Sequence, residues 1–282
     1  MQIWLKVLIF VALWLILVSL LTFYMSIRPA KMMTNLLPSD FGLKYEEVTF
    51  KSADGIKLSG WFLPNNKAKS AIIVMHGYPA EKGDLLGIAI FLSKDFNVFL
   101  FDFRYFGKSE GKYTTAGYLE RNDLPGAINY LEKEKNITKI GLYGFSLGGA
   151  VALMTSHTNV KAIVTDSTYA KLSNMLEYIY RIFFVFKYPL IYLTKLYGTL
   201  FLKLNIDDAS PADNIKLSKV PILLIHAEKD SQIPLQEAYL LRDANQKAEL
   251  WIIKDADHGR SYASNPKRYE EKVIGLFKEN LR

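Results

Sequence analysis

Six short apolar runs recur along this chain, at Ser70 to Met75, Asn97 to Phe101, Lys139 to Tyr143, Ala162 to Thr165, Val220 to Ile225 and Glu249 to Ile253. Nothing else constrains its fold as tightly. A strand covered on both faces reads as a continuous apolar run, so these are expected as buried parallel strands. Helical patterns lie between or after them at Leu85 to Lys94, Tyr118 to Glu134, Leu147 to Thr155, Leu235 to Asn245 and Pro266 to Leu281. Strand and helix alternating in this way specify an α/β class, a mostly parallel, doubly wound sheet with helices on both faces. Ahead of the first run, Lys44 to Lys51 and Ile56 to Leu63 flank Ala53-Asp54-Gly55, which predicts a hairpin at the start of the sheet.

The N-terminus obeys a different rule. From Val7 to Ile27 every residue is apolar or weakly polar, and those 21 residues can cross a hydrocarbon core about 30 Å thick as a helix. A secretory signal has a shorter apolar region and a small-residue cleavage site, and no A-x-A-like site follows Leu20. Residues 1–28 are therefore expected to be a single-pass membrane anchor. Lys6 lies on one side and Arg28 and Lys31 on the other, so positive charge barely decides the orientation. A short leading segment favours its N-terminus inside and the bulk of the protein outside the cytoplasm. Residues 29–43, with Pro29 and Pro38, read as a tether, and 44–282 as the folded domain.

Composition removes several functions. No cysteine occurs, which excludes thiol nucleophiles, disulfide frameworks and Cys-ligated metal centres. The net charge is +7, from 35 basic and 28 acidic residues without a Lys/Arg cluster, so a solvated surface is expected and no nucleic-acid partner. One segment, 167–209, has no strand pattern and ten Tyr or Phe in 43 residues. That enrichment fits a helical cap over a pocket that touches lipid, or a helical insertion whose aromatics fill a small core of its own.

Gly144-Phe145-Ser146-Leu147-Gly148 sits directly between a strand and a helix pattern. A serine hydroxyl becomes a usable nucleophile when it projects from a tight strand-to-helix turn, and that turn needs small residues two before and two after it. Here both are glycine. Neither the dinucleotide pattern G-x-G-x-x-G nor the P-loop pattern is present. Of the four histidines, His157 falls at the far end of the helix that follows Ser146, and His76 and His226 end strands, where a structural role beneath the site is expected. His258 alone lies in a loop after the last strand, where it can serve as general base. Asp230, beyond the Val220 to Ile225 strand, is the expected carboxylate partner, with Asp166 and Glu228 as competitors. An oxyanion would need two N–H donors: the backbone of Leu147 supplies one and that of Tyr78, or its neighbour Gly77, the other.

These residues resemble the α/β-hydrolases over about 240 positions, from Lys44 to the end. The order Ser146, Asp230, His258 is that superfamily's order, and His76-Gly77 is similar to its oxyanion-loop motif. Asp102-Phe103-Arg104-Tyr105-Phe106-Gly107-Lys108-Ser109 is similar to its D-x-R-G-x-G-x-S loop. Serine aminopeptidase-like or Bem46-like hydrolases are the nearest subgroup, several of which carry an N-terminal membrane helix. Tyr105 in place of glycine and His226-Ala227 in place of His-Gly are departures expected to reshape the pocket wall. The resemblance implies a serine hydrolase that needs no metal or organic cofactor. Its expected substrate is a small acyl ester or thioester, lipid included. A peptidase acting on short peptides is the alternative, and an inactive membrane-held binding module a third. Nothing in the sequence sets an oligomeric state.

Overall fold

The computed structural model describes residues 2–281; Met1 and Arg282, the outer ends of the expected anchor and folded domain, lie outside the described residues. Eight strands form one sheet: β1 (Glu46–Lys51), β2 (Lys57–Leu63), β3 (Ala71–Met75), β4 (Asn97–Phe101), β5 (Ile140–Phe145), β6 (Val160–Asp166), β7 (Ile222–Ala227) and β8 (Glu249–Ile253). Their spatial order is β1-β2-β4-β3-β5-β6-β7-β8. The first hairpin pairs antiparallel, as does β2 with β4, and every other pairing is parallel. Among the described residues, ten α-helices accompany the sheet: α1 (Gln2–Ile27), α2 (Leu86–Leu92), α3 (Asp123–Glu134), α4 (Leu147–Met154), α5 (Leu172–Tyr180), α6 (Lys187–Leu202), α7 (Pro211–Ile215), α8 (Leu235–Ala244), α9 (Ser261–Ser264) and α10 (Pro266–Asn280).

The apolar runs hide two alternations. In β3, Ala71, Ile73 and Met75 face one layer, with Leu124 and Leu131 of α3 and Val151 of α4. Ile72 and Val74 face the other, with Phe91 of α2 and Val273 and Phe277 of α10. Side chains of a strand point alternately to its two faces, so a strand between two helical layers must be apolar at every position.

Several boundaries differ from those expected. The strand placed at Val220 to Ile225 runs from Ile222 to Ala227, because Pro221 cannot donate to the ladder while His226 and Ala227 still pair with Ile252 and Ile253. The helix placed from Tyr118 starts at Asp123, after a short 3₁₀ turn over Glu120–Asn122. The first helix covers Gln2–Ile27, and the straight-chain Lys6 within it costs a helix little.

Between β6 and α7 lie α5, a 3₁₀ turn over Arg181–Phe186, and α6. α1 packs along this unit. Its Ser19 and Thr22 hydroxyls meet the hydroxyls of Tyr197 (3.1 Å) and Tyr180 (2.6 Å), and Tyr180 meets Thr194 at 2.8 Å. Trp14 touches Phe183 and Phe186 edge-on, and Phe23 touches Tyr197. The expected tether is pinned at intervals: Tyr105 Oη donates to the Pro29 carbonyl (2.6 Å) and the Thr34 N–H donates to Glu81 (3.0 Å).

Candidate active site

Ser146 joins β5 to α4 with φ 51° and ψ −111°, a conformation that ordinary side chains seldom adopt. Its N–H donates to the Asp166 carbonyl at 2.8 Å, which fixes the turn to the end of β6. The two flanking glycines meet close approaches: a β-carbon on Gly144 would run into the Gly148 backbone, and one on Gly148 into the Met75 carbonyl. With both positions bare, α4 can start against the sheet, and Leu147 brings an N–H that has no partner in the preceding turn. Gly77, at the end of β3, lies so near that an added β-carbon would sit 3.3 Å from Ser146 Cβ. Tyr78, Ser146 and Leu147 all line one cavity.

Asp230 and His258 come from neighbouring loops after β7 and β8. His258 Nδ1 lies 2.8 Å from Asp230 Oδ2 and 3.0 Å from Oδ1. Asp230 Oδ1 also accepts the N–H groups of Gln232 (3.0 Å) and Ile233 (2.7 Å). Burial pushes this carboxyl up, but the His258 ring and the Ile233 N–H outweigh it and hold it below the ordinary aspartate value. A carboxylate that stays ionised fixes the Nδ1–H tautomer and leaves Nε2 with its lone pair. Asp257 joins the two loops, accepting from Ser231 N (2.8 Å) and His258 N (2.7 Å). Phe145 links His258 to the serine turn, with its ring 4.9 Å from the imidazole, centroid to centroid.

The competitors are engaged elsewhere. Asp166 accepts from Ser261 Oγ (2.9 Å) and Tyr269 Oη (2.8 Å), and Glu228 accepts from the Asp255 N–H. His157 faces Glu132 at 3.6 Å on the far end of α4. His76 Nε2 accepts the Phe103 N–H at 3.0 Å, and His226 Nε2 meets the Ile233 carbonyl at 3.0 Å. Both rings are buried, and burial lowers their pKa. His226 is therefore a neutral donor that braces the loop carrying Asp230.

The departures expected to reshape the pocket wall act elsewhere. Tyr105 occupies φ 73° and carries the bond to Pro29, with Lys31 over its ring at 5.2 Å, so it binds the N-terminal segment. His226 and Ala227 lie inside β7. In the same loop Arg104 holds Asp54 and Asp123, each through hydrogen bonds of 2.7 to 3.0 Å, and Lys82 Nζ reaches Asp102 at 2.6 Å. These ion pairs brace the loops under the site.

The cavity at Ser146 has a volume of about 540 Å³. Its walls are mostly apolar, from Leu172, Met175 and Ile179 of α5 and Leu202 of α6, and Arg181 is the one charged residue on its lining among those described. Two of its walls had no sequence signal. Phe23 and Ile27 come from α1. Thr114 to Ala116 form a loop that buried Glu120 builds, accepting from Thr114 Oγ1, Thr115 N and Oγ1, and Gly117 N. Beside α5, buried Glu237 of α8 accepts from Ala170 N and Asn174 Nδ2. Among the described residues, no group of three or more His, Asp or Glu is placed to hold a metal ion.

Residues 70–184 match the alpha/beta hydrolase fold family. The Escherichia coli O157:H7 protein YfhR is 30% identical over 248 residues, which cover 82% of this chain and 80% of that one. Protein bem46 of Schizosaccharomyces pombe is 27% identical over 215 residues, 72% of this chain and 67% of that one. Among solved structures, the Pyrococcus furiosus esterase Pf2001 superposes with a TM-score of 0.74 at 27% identity, over 91% of this chain and 99% of its own. With its sheet order and its likeness to YfhR over four-fifths of both chains, this chain belongs to the α/β-hydrolase family, among relatives of the Bem46 kind.

Proposed function

We propose that the chain is a membrane-anchored serine hydrolase that cleaves a carboxylic ester or thioester through an acyl-enzyme. The observation that carries this reading is a strained Ser146 on the cavity lining, with the neighbouring Phe145 ring against a His258 ring that Asp230 clasps. Ser146 Oγ attacks the substrate carbonyl while His258 Nε2 takes the hydroxyl proton. The oxyanion rests on the N–H groups of Leu147 and Tyr78. Collapse expels the alcohol or thiol, which leaves with the proton from His258. Water then attacks the acyl-serine with His258 as base, and the carboxylic acid departs.

The cavity lining favours an acyl chain over a peptide. An amino terminus would call for a carboxylate in the wall, and the lining includes none among the described residues. α1 supports the anchor: it is the one described helix long and apolar enough to cross a membrane. In this reading 1–28 anchor, 29–43 connect, 44–282 catalyse, and 167–209 cap the pocket.

Purified full-length protein in detergent should react with a fluorophosphonate at Ser146 and hydrolyse p-nitrophenyl esters. Labelling that persists in Ser146→Ala would refute the nucleophile. A panel of acyl-chain lengths beside aminoacyl amides decides the bond: preference for amides would replace the esterase by a peptidase, and silence toward both would leave a binding module.

A further inference from the structure

α1 and the cap are locked together in a way that fixes how deep the cap must lie. Among the described ring contacts, the one nearest the N-terminus is at Trp14, which meets Phe183 and Phe186 at 6.1 and 6.2 Å between ring centroids. Beyond it lie only Gln2 to Leu13, mostly exposed, about 18 Å of helix at about 1.5 Å per residue. That falls well short of a hydrocarbon core about 30 Å thick. An α1 that spans a bilayer must therefore bury part of its Trp14 to Ile27 half, and whatever packs on that half goes in with it.

The side chains agree. Ser19 and Thr22 turn their hydroxyls toward Tyr197 and Tyr180 of the cap, while Leu17, Leu21 and Met25 of α1 stand exposed. Polar groups inward and hydrocarbon outward is the arrangement of helices packed in lipid. The tip of the cap continues that surface: Ile182, Phe184 and Val185 are 68%, 81% and 71% exposed, with Leu200 and Phe201 beside α1 also exposed. Two cations bracket the tip. The Arg181 guanidinium lies 3.5 Å from the Tyr178 ring centroid and lines the cavity, and Lys187 has a long stem able to carry its ammonium toward the headgroups. Nor can α1 swing away freely: Tyr78 Oη donates to the Ser26 carbonyl (3.0 Å) and the Thr114 N–H to the Ile27 carbonyl (2.9 Å). Ile179 and Ile182 line the cavity and are also exposed, so the cavity rim belongs to this apolar surface.

We propose that the cap is itself a membrane-embedded element, sunk beside the Trp14 to Ile27 half of α1, and that the cavity receives its ester sideways from the bilayer. Resting on the hydrolase reading above, this makes the substrate an acyl lipid resident in the membrane. The chain contains no cysteine, so single-cysteine variants of the full-length protein can carry one spin label each. In phosphatidylcholine vesicles, a label at Phe184→Cys should be relaxed by oxygen and shielded from a water-soluble nickel chelate. A label at Asn66→Cys, an exposed turn before β3, should show the reverse. A Phe184 label open to the chelate would overturn the proposal, and so would dipolar broadening between labels, which would make the patch an interface between copies of the chain.

The second arm reads delivery. Phe184→Glu combined with Val185→Glu should keep the rate on a soluble short-chain ester within about twofold and lower that on a vesicle-borne long-chain ester about tenfold or more, because only access is changed. Equal rates on both, relative to the unmodified protein, would overturn lateral entry. A deep Phe184 label in a protein that hydrolyses no ester would sink the hydrolase reading while the embedded cap stands.

Discussion

The Phe145 ring lies against the His258 ring, 4.9 Å between centroids at an interplanar angle of 47°. The residue beside the proposed nucleophile thus braces the proposed base. The Gly77 position also abuts Phe145, where an added β-carbon would fall 2.9 Å from its ring.

If Phe145 holds the imidazole in place, Phe145→Ala should lower kcat by roughly ten- to a hundredfold with little change in KM, since a small misplacement of a reacting group is costly. Phe145→Tyr, which keeps the ring, should restore most of the rate. Steady-state kinetics on a p-nitrophenyl ester provide the check, and a change confined to KM would show that the ring shapes the pocket rather than the base.

Asp230→Asn should reduce kcat by about 10³ to 10⁴, because an amide favours the wrong imidazole tautomer. Asp166 is held instead by Ser261 and Tyr269. A variant that retained more than about a tenth of the rate would move the orienting role to another carboxylate.

How much of this was readable beforehand follows from what each feature depends on. The sheet was legible because β3 to β7 are apolar at nearly every position, and that pattern is local. Ser146, Asp230 and His258 could be named from a serine turn and from positions after strand ends, and the structure brings Asp230 to His258. The cavity walls were not legible. Phe23 reaches the pocket only because α1 packs on α6 and the turn before it, and Glu120 builds a wall through bonds to four neighbouring donors, a contact set without a repeating signature. Tyr105 was misassigned to the pocket for a similar reason: its partner Pro29 is 76 residues away in sequence.

The φ of 51° at Ser146 predicts a separation of stability from activity. Glycine tolerates this backbone conformation and alanine does not, so Ser146→Gly should be more stable than Ser146→Ala by about 1 kcal/mol, although both lack the hydroxyl. Both should fail to react with a fluorophosphonate. Denaturant melts of the pair decide it, and equal midpoints would mean that the turn holds no backbone strain.

Asp166 offers a pH test independent of catalysis. It is buried at the end of β6, under Ser261 and Tyr269, and the Tyr269 hydroxyl also meets that of Tyr143 at 2.7 Å. Burial raises its carboxyl to about 6, with the two hydroxyl donors and His258 only partly offsetting the effect. Because the folded value lies above the unfolded one of 3.8, the protonated form is favoured by folding. Its contribution to stability is complete below about pH 4 and is lost as the pH rises through about 6. The unmodified protein should therefore lose on the order of 3 kcal/mol relative to Asp166→Asn between pH 4 and pH 7, from a shift of about two units. Urea titrations of both proteins across that range measure the difference directly. A gap that stays constant with pH would show that Asp166 titrates alike in the folded and unfolded chains, and one that moves the other way would show a carboxylate stabilised by its hydroxyl partners.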